Sequence, residues 1–88
     1  MKNKILLLLF GGVLWFYSAQ VLDHKGRHVY KVCGIIGYDK FKPIENWKST
    51  INMLVEDSNS NKEYTEANDG QNFTDKNIHL ISFNRVDK

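Results

Sequence analysis

His24 and His28 stand four residues apart, and Cys33 follows. On a helix that spacing would turn both imidazoles to one face, and a thiolate could complete a zinc or copper site. Lys25, Gly26 and Arg27 lie between the two histidines; they disfavour a helix and add repelling charge. His24, His28 and Cys33 are therefore weak metal candidates, and the favoured expectation is solvated His24 and His28 with His79 packed. Cys33 with His79 would suit a nucleophilic pair. Cys33 sits in an apolar run, where burial would blunt a thiol, and the reading expects it buried. Glu56-Asp57 falls in a polar stretch and needs no function. The sequence has no glycine-rich phosphate loop. Trp47, after the proline, reads as a packing residue or an exposed ligand platform. No catalytic site and no cofactor emerge, so the expectation is a protein that is not an enzyme.

The N-terminus carries the strongest pattern. Lys2 and Lys4 precede an unbroken apolar run from Ile5 to Tyr17, which ends in Ser18-Ala19-Gln20. Basic, apolar, then small is the order of an export signal. As a helix, Ile5 to Ala19 would reach about 22 Å, short of a bilayer core of about 30 Å. The reading expects residues 1–19 to be a signal peptide cut between Ala19 and Gln20, and residues 20–88 to be a small exported domain, periplasmic or secreted. Tyr17 is bulky for the peptidase pocket three residues before the cut. Trp15, Phe16 and Tyr17 would also suit a membrane-water boundary. The alternative is an uncleaved anchor, with membrane association through residues 5–19 and a single-pass topology.

Charge follows from the same segment. Without Lys2 and Lys4 the 12 basic residues become 10, against 10 acidic ones. The remainder is neutral, so the basic footprint that nucleic-acid binding requires is missing and no nucleic-acid partner is expected. The expected partner is an unspecified protein or envelope component. Asp23 to Lys48 carries six Lys/Arg and three Asp/Glu, whereas Ser49 to Lys88 carries four and seven. Two solvated faces explain this division. With a retained anchor, the basic half would also suit lipid headgroups. Outside the cytoplasm a small domain commonly relies on disulfides, but Cys33 is the single cysteine.

The elements that must position these groups read mainly as strands. Lys25-Gly26 is a turn signal. His28 to Tyr38 is β-branched and aromatic on both faces, with Gly34 and Gly37 explicable by a bulge or close backbone approach. Ile44, Trp47, Ile51, Leu54 and Val55 fall at helical spacing, while Ile51, Met53 and Val55 also alternate as in a strand. The residues leave that choice even. Glu56 to Lys62 reads as a polar loop and Glu63 to Ala67 as a short exposed strand. Asn68-Asp69-Gly70 is a turn. Ile78 to Val86 reads as a strand, with Ile78 and Leu80 on one face and His79, Ile81 and Phe83 on the other.

Val32-Cys33-Gly34-Ile35-Ile36, Lys42-Pro43-Ile44-Glu45-Asn46, Thr65-Glu66-Ala67-Asn68-Asp69-Gly70 with Phe73, and Ile78-His79-Leu80-Ile81-Ser82-Phe83 follow one another in an order that resembles the carboxypeptidase regulatory-like domain. The resemblance covers about Val32 to Phe83. It implies a mainly β chain, a small antiparallel transthyretin-like β-sandwich, with a strand rather than a helix at Ile51 to Val55. It also implies a non-catalytic binding or structural module. The alternative fold is α+β, with a helix near 44–55.

Overall fold

The computed structural model describes residues 12–86. They form one three-stranded antiparallel sheet with helices packed on one of its faces. Strand β1 is Val13–Leu22, β2 is His28–Tyr38 and β3 is Ile78–Arg85. Helix α1 is Pro43–Ser60 and α2 is Lys62–Ala67, and a 3-10 turn at Asp75–Asn77 leads into β3. The sheet order is β2-β1-β3, so the first strand is the central one.

The β1–β2 hairpin closes through Lys25-Gly26, as its residues require: Gly26 has φ 83°. The turn at Asn68-Asp69-Gly70 also forms where expected, with Asp69 and Gly70 at φ 57° and 77°. Gly34 is a case of close approach. A Cβ there would lie 3.1 Å from the hydroxyl of Tyr17, its partner on β1.

Between Pro43 and Ser60 the chain is helical, which corrects the strand implied at Ile51 to Val55 and agrees with the α+β alternative. Pro43 occupies the first turn, where its missing N–H costs nothing, and holds Lys42 extended at φ −134°. The polar loop expected at Glu56 to Lys62 is mostly the last turn of α1, and the strand expected at Glu63 to Ala67 is α2. Asn61 separates the two helices; its side chain accepts the N–H groups of Glu63 and Tyr64 at 2.9 and 3.3 Å. Where a sandwich would have a second sheet, the described residues place these helices.

The physical reason lies in what α1 buries. Its buried row is Asn46, Thr50, Leu54 and Ser58, spaced by four, with Ile51 beside it. Three members of that row are polar, and each has a partner. Trp15 Nε1 donates to Asn46 Oδ1 at 3.1 Å. Thr50 and Ser58 donate to the carbonyls of Asn46 and Leu54, both at 2.8 Å, which leaves their oxygens to accept the Tyr38 and Tyr30 hydroxyls at 2.7 Å. Two of the apolar residues that suggested helical spacing, Ile44 and Trp47, face outward. Ala19, Val21, Ile51, Leu54, Phe73 and Ile78 form the apolar core.

β3 contains one irregularity. Ser18 pairs with Ser82 but Ala19 pairs with Leu80, so Ile81 is an extra residue. Beyond it the alternation is reset. Phe83, expected opposite Ile78 and Leu80, instead stacks on Trp15 at 4.2 Å.

Two outcomes are expected in urea denaturation. Leu54→Ala, at a position 2% exposed, lowers stability by about 2–5 kcal/mol. Asn46→Ala costs about 1–3 kcal/mol by stripping the acceptor from nearly buried Trp15, and costs more than Ser58→Ala, because water can reach half-buried Tyr30.

Candidate functional site

The residues singled out for chemistry are dispersed. His24 lies in the β1–β2 turn, with Nε2 2.6 Å from Asp69 Oδ2, and its backbone N–H donates to Asn68 Oδ1 at 2.7 Å. His28 begins β2 and is exposed. Cys33 is exposed too, correcting its expected burial: it pairs with Ser18 on the sheet face away from the helices. His79 is exposed rather than packed, and pairs with Gln20. Two strand spacings and two residues of rise separate the Cys33 and His79 α-carbons by roughly 12 Å, too far for a nucleophile–base contact. Among the described residues no group of three or more His, Cys, Asp or Glu converges as a metal site. Ala19 and Gln20 lie midway along β1, and Ala19 is fully buried. A cut between them would divide β1. The apolar run from Ile5 to Gly11 falls outside the described residues, and among those described no helix is long and apolar enough to cross a membrane.

Beside the turn, Asp23 is buried and anchors its own hairpin. Its carboxylate accepts the Lys25 and Arg27 N–H groups at 2.9 and 2.7 Å and Arg27 Nε at 2.7 Å. Desolvation alone would raise its pKa, but these donors outweigh it and hold the carboxyl below its ordinary value. Asp69 is also lowered, chiefly by its hydrogen bond with His24 and further by Lys25. These groups serve the fold.

A half-open groove of about 440 Å³ lies between α1 and β3. Trp47, Ile51, Ile78 and Leu80 line it, with Lys48, Asp75 and His79 at its margin. Trp47 is 42% exposed, consistent with its reading as a platform.

Exposed apolar side chains also occur at the end of the molecule where the chain enters β1. Phe16 pairs with Ile35 on the uncovered sheet face, and Val86 donates its N–H to the Leu14 carbonyl at 2.9 Å. Phe41 lies parallel to Trp15 at 5.9 Å, with the Arg85 guanidinium 4.5 Å from its ring centre. Ile44 opens α1 two residues before Asn46, whose Oδ1 also accepts the Lys42 N–H at 3.2 Å. Phe41, Ile44 and Val86 are exposed at this end, whereas Phe16 and Ile35 are exposed on the sheet face opposite Trp15. Aromatic stacking and the Asn46 bonds fix the base of this tip, leaving its apolar groups turned to solvent. Sequence reading missed it because Val86 is far in sequence from Phe41 and Ile44; the one available signal was that Phe41 and Ile44 bracket a proline with no apolar neighbour.

No family model, curated protein or solved structure matches this chain.

Acid should weaken the hairpin end. A carboxyl whose folded pKa is depressed contributes stability that is complete above the ordinary value of about 3.9 and is lost as pH falls through the lower folded value. Thermal unfolding followed by circular dichroism is expected to show Tm falling below about pH 4, with a shallower fall in Asp23→Asn than in the parent chain.

Proposed function

We propose that this chain is a non-enzymatic binding module that works outside the cytoplasm and keeps its N-terminus, which holds it against a membrane. The observation that carries this reading is the central position of β1. β1 pairs with β2 from Val13 to Leu22 and with β3 from Trp15 to Val21, and it supplies Val13, Trp15, Ala19 and Val21 to the buried interior. The fold therefore depends on the segment that cleavage after Ala19 would divide. With β1 in the sheet, the apolar stretch left before it is Ile5–Phe10, with Gly11-Gly12 as the link. These six residues are far fewer than the about 20 apolar residues that a helix needs to cross a bilayer core. Binding without catalysis is supported by the use of the titratable groups: His24 is engaged with Asp69 and Asp23 with Arg27.

A second reading is favoured by the order of Lys2-Lys4, the apolar run and Ser18-Ala19-Gln20. Here the chain is cut and exported free of the membrane. The remaining β2 and β3 would lose their shared partner and need a strand from another chain, which is also the route to a two-sheet sandwich.

N-terminal sequencing of the protein from membrane and soluble fractions separates the two readings. Intact Met1 in the membrane fraction is expected; a chain starting at Gln20 outside the membrane overturns retention.

A further inference from the structure

We infer that the uncovered face of the sheet is a self-association surface, on which a second copy of this chain stacks its own uncovered face, sheet against sheet. This rests on β1 staying whole and assigns a partner to the binding module.

The strand registers define the face. The helices cover one side of the sheet, where Val13, Trp15, Ala19 and Val21 are buried. The alternate residues of β1, among them Leu14, Phe16, Ser18 and Gln20, point the other way. Phe16 has Ile35 of β2 directly beside it, and the two are 39% and 42% exposed. Ser18 lies between Cys33 of β2 and Ser82 of β3.

Three observations converge on a second copy. The first is charge. Among the described strand residues that the registers place on this face, Lys31 alone is formally charged, whereas 25% of the whole chain is charged. Depletion of charge at the centre of a patch is the compositional mark of a protein interface. A lipid-facing surface carries a basic surround instead, and lipid tails offer Ser18, Gln20 and Ser82 no hydrogen-bond partner. A second copy offers the same hydroxyls and amides.

The second is size. Three strands about 4.8 Å apart and about 33 Å long give a face of about 460 Å² in flat projection. Two copies together supply about 900 Å² flat. Side chains stand out from the pleat, so the accessible area is larger and reaches the range of about 1,200–2,000 Å² in total that a specific interface buries.

The third is symmetry. Along the strands the face grades from apolar at Leu14, Phe16 and Ile35 to polar at Gln20, Lys31 and His79. Twisted sheets stack about 10 Å apart with their strands within about 30°. A two-fold axis running along the strands sets apolar half over apolar half and Phe16 over its counterpart. It also lays β2 of one copy over β3 of the other, which keeps the two Lys31 side chains apart. The two Cys33 α-carbons then lie roughly 14 Å from one another, beyond the about 7 Å that a disulfide spans.

The test is sedimentation velocity on the full-length chain under reducing conditions, at micromolar concentration. A dimer is expected. Phe16→Asp and Ile35→Asp, each present twice in the interface, should raise its dissociation constant by about tenfold or more. Ile44→Ser, at a position 71% exposed on α1, should associate as the parent does. Circular dichroism confirms that each variant is folded. If the aspartate variants do not fold, crosslinking of the parent decides. A bismaleimide spanning about 14 Å should join the two Cys33 thiols. Failure to join them overturns the inference, as does near-complete direct disulfide formation on oxidation, which requires strands paired edge to edge. A parent chain that stays monomeric, free or bound to lipid vesicles, also overturns it, and so does a dimer that persists in a folded aspartate variant. Because the assay uses the intact chain, its failure removes self-association alone; a mature chain starting at Gln20 in cells removes the retained N-terminus instead.

Discussion

The fold depends on polar pairing between α1 and the sheet. Asn46, Thr50 and Ser58 occupy the row of the helix that a small domain would normally fill with leucine, and Trp15, Tyr38 and Tyr30 meet them from β1 and β2. Each pair joins an aromatic body, which contributes apolar burial, to a polar atom that needs a partner. Leu54 lies within this row and anchors the apolar core with Ala19, Val21 and Phe73. Direction matters here. An apolar row tolerates sliding, whereas three hydrogen bonds at fixed spacing set both the depth and the rotation of the helix on the sheet. That placement turns Ile44 and Trp47 outward.

The same economy holds in the connections. Asn59 exchanges two hydrogen bonds with the backbone of Phe73, at 3.1 and 2.6 Å. Asn68 joins the β1–β2 turn to the end of α2, and Asn77 donates to the Leu22 carbonyl at 3.0 Å. In a chain this small, side-chain amides do some of the joining that a larger core would do by burial. Phe73 is held in the core by such a bond on its own backbone.

Turns were legible in the sequence because their chemistry is local: Gly26, Asp69 and Gly70 take the positive φ that their types suggest. His28 to Tyr38 and Ile78 to Val86 were legible as strands from their β-branched and aromatic residues. The helix over Pro43–Ser60 was legible only as one of two even alternatives, because its buried side is polar. Serine, threonine and asparagine count against a helix when considered singly, yet here Thr50 and Ser58 bond back to carbonyls four residues earlier while accepting tyrosine hydroxyls. The resemblance to a β-sandwich rested on turn and strand chemistry that a sheet-and-helix fold also uses. The neighbourhood of Trp15 was illegible for a different reason: Phe41 and Phe83, distant in sequence, are brought to it only by the sheet register and aromatic stacking.

The position of β1 has a consequence for how the protein is made. Its first strand and its last are neighbours, so sheet closure joins residues separated by almost the whole chain. During synthesis β1 can pair with β2 soon after both emerge, but its other edge has no partner until Ile78–Arg85 leaves the ribosome. Until that pairing forms, the nascent chain presents an apolar strand with one open edge. A binding surface that captured this segment early would be competing with β3 for the open edge of β1, and the outcome would turn on how soon Ile78–Arg85 can pair rather than on the stability of the finished fold.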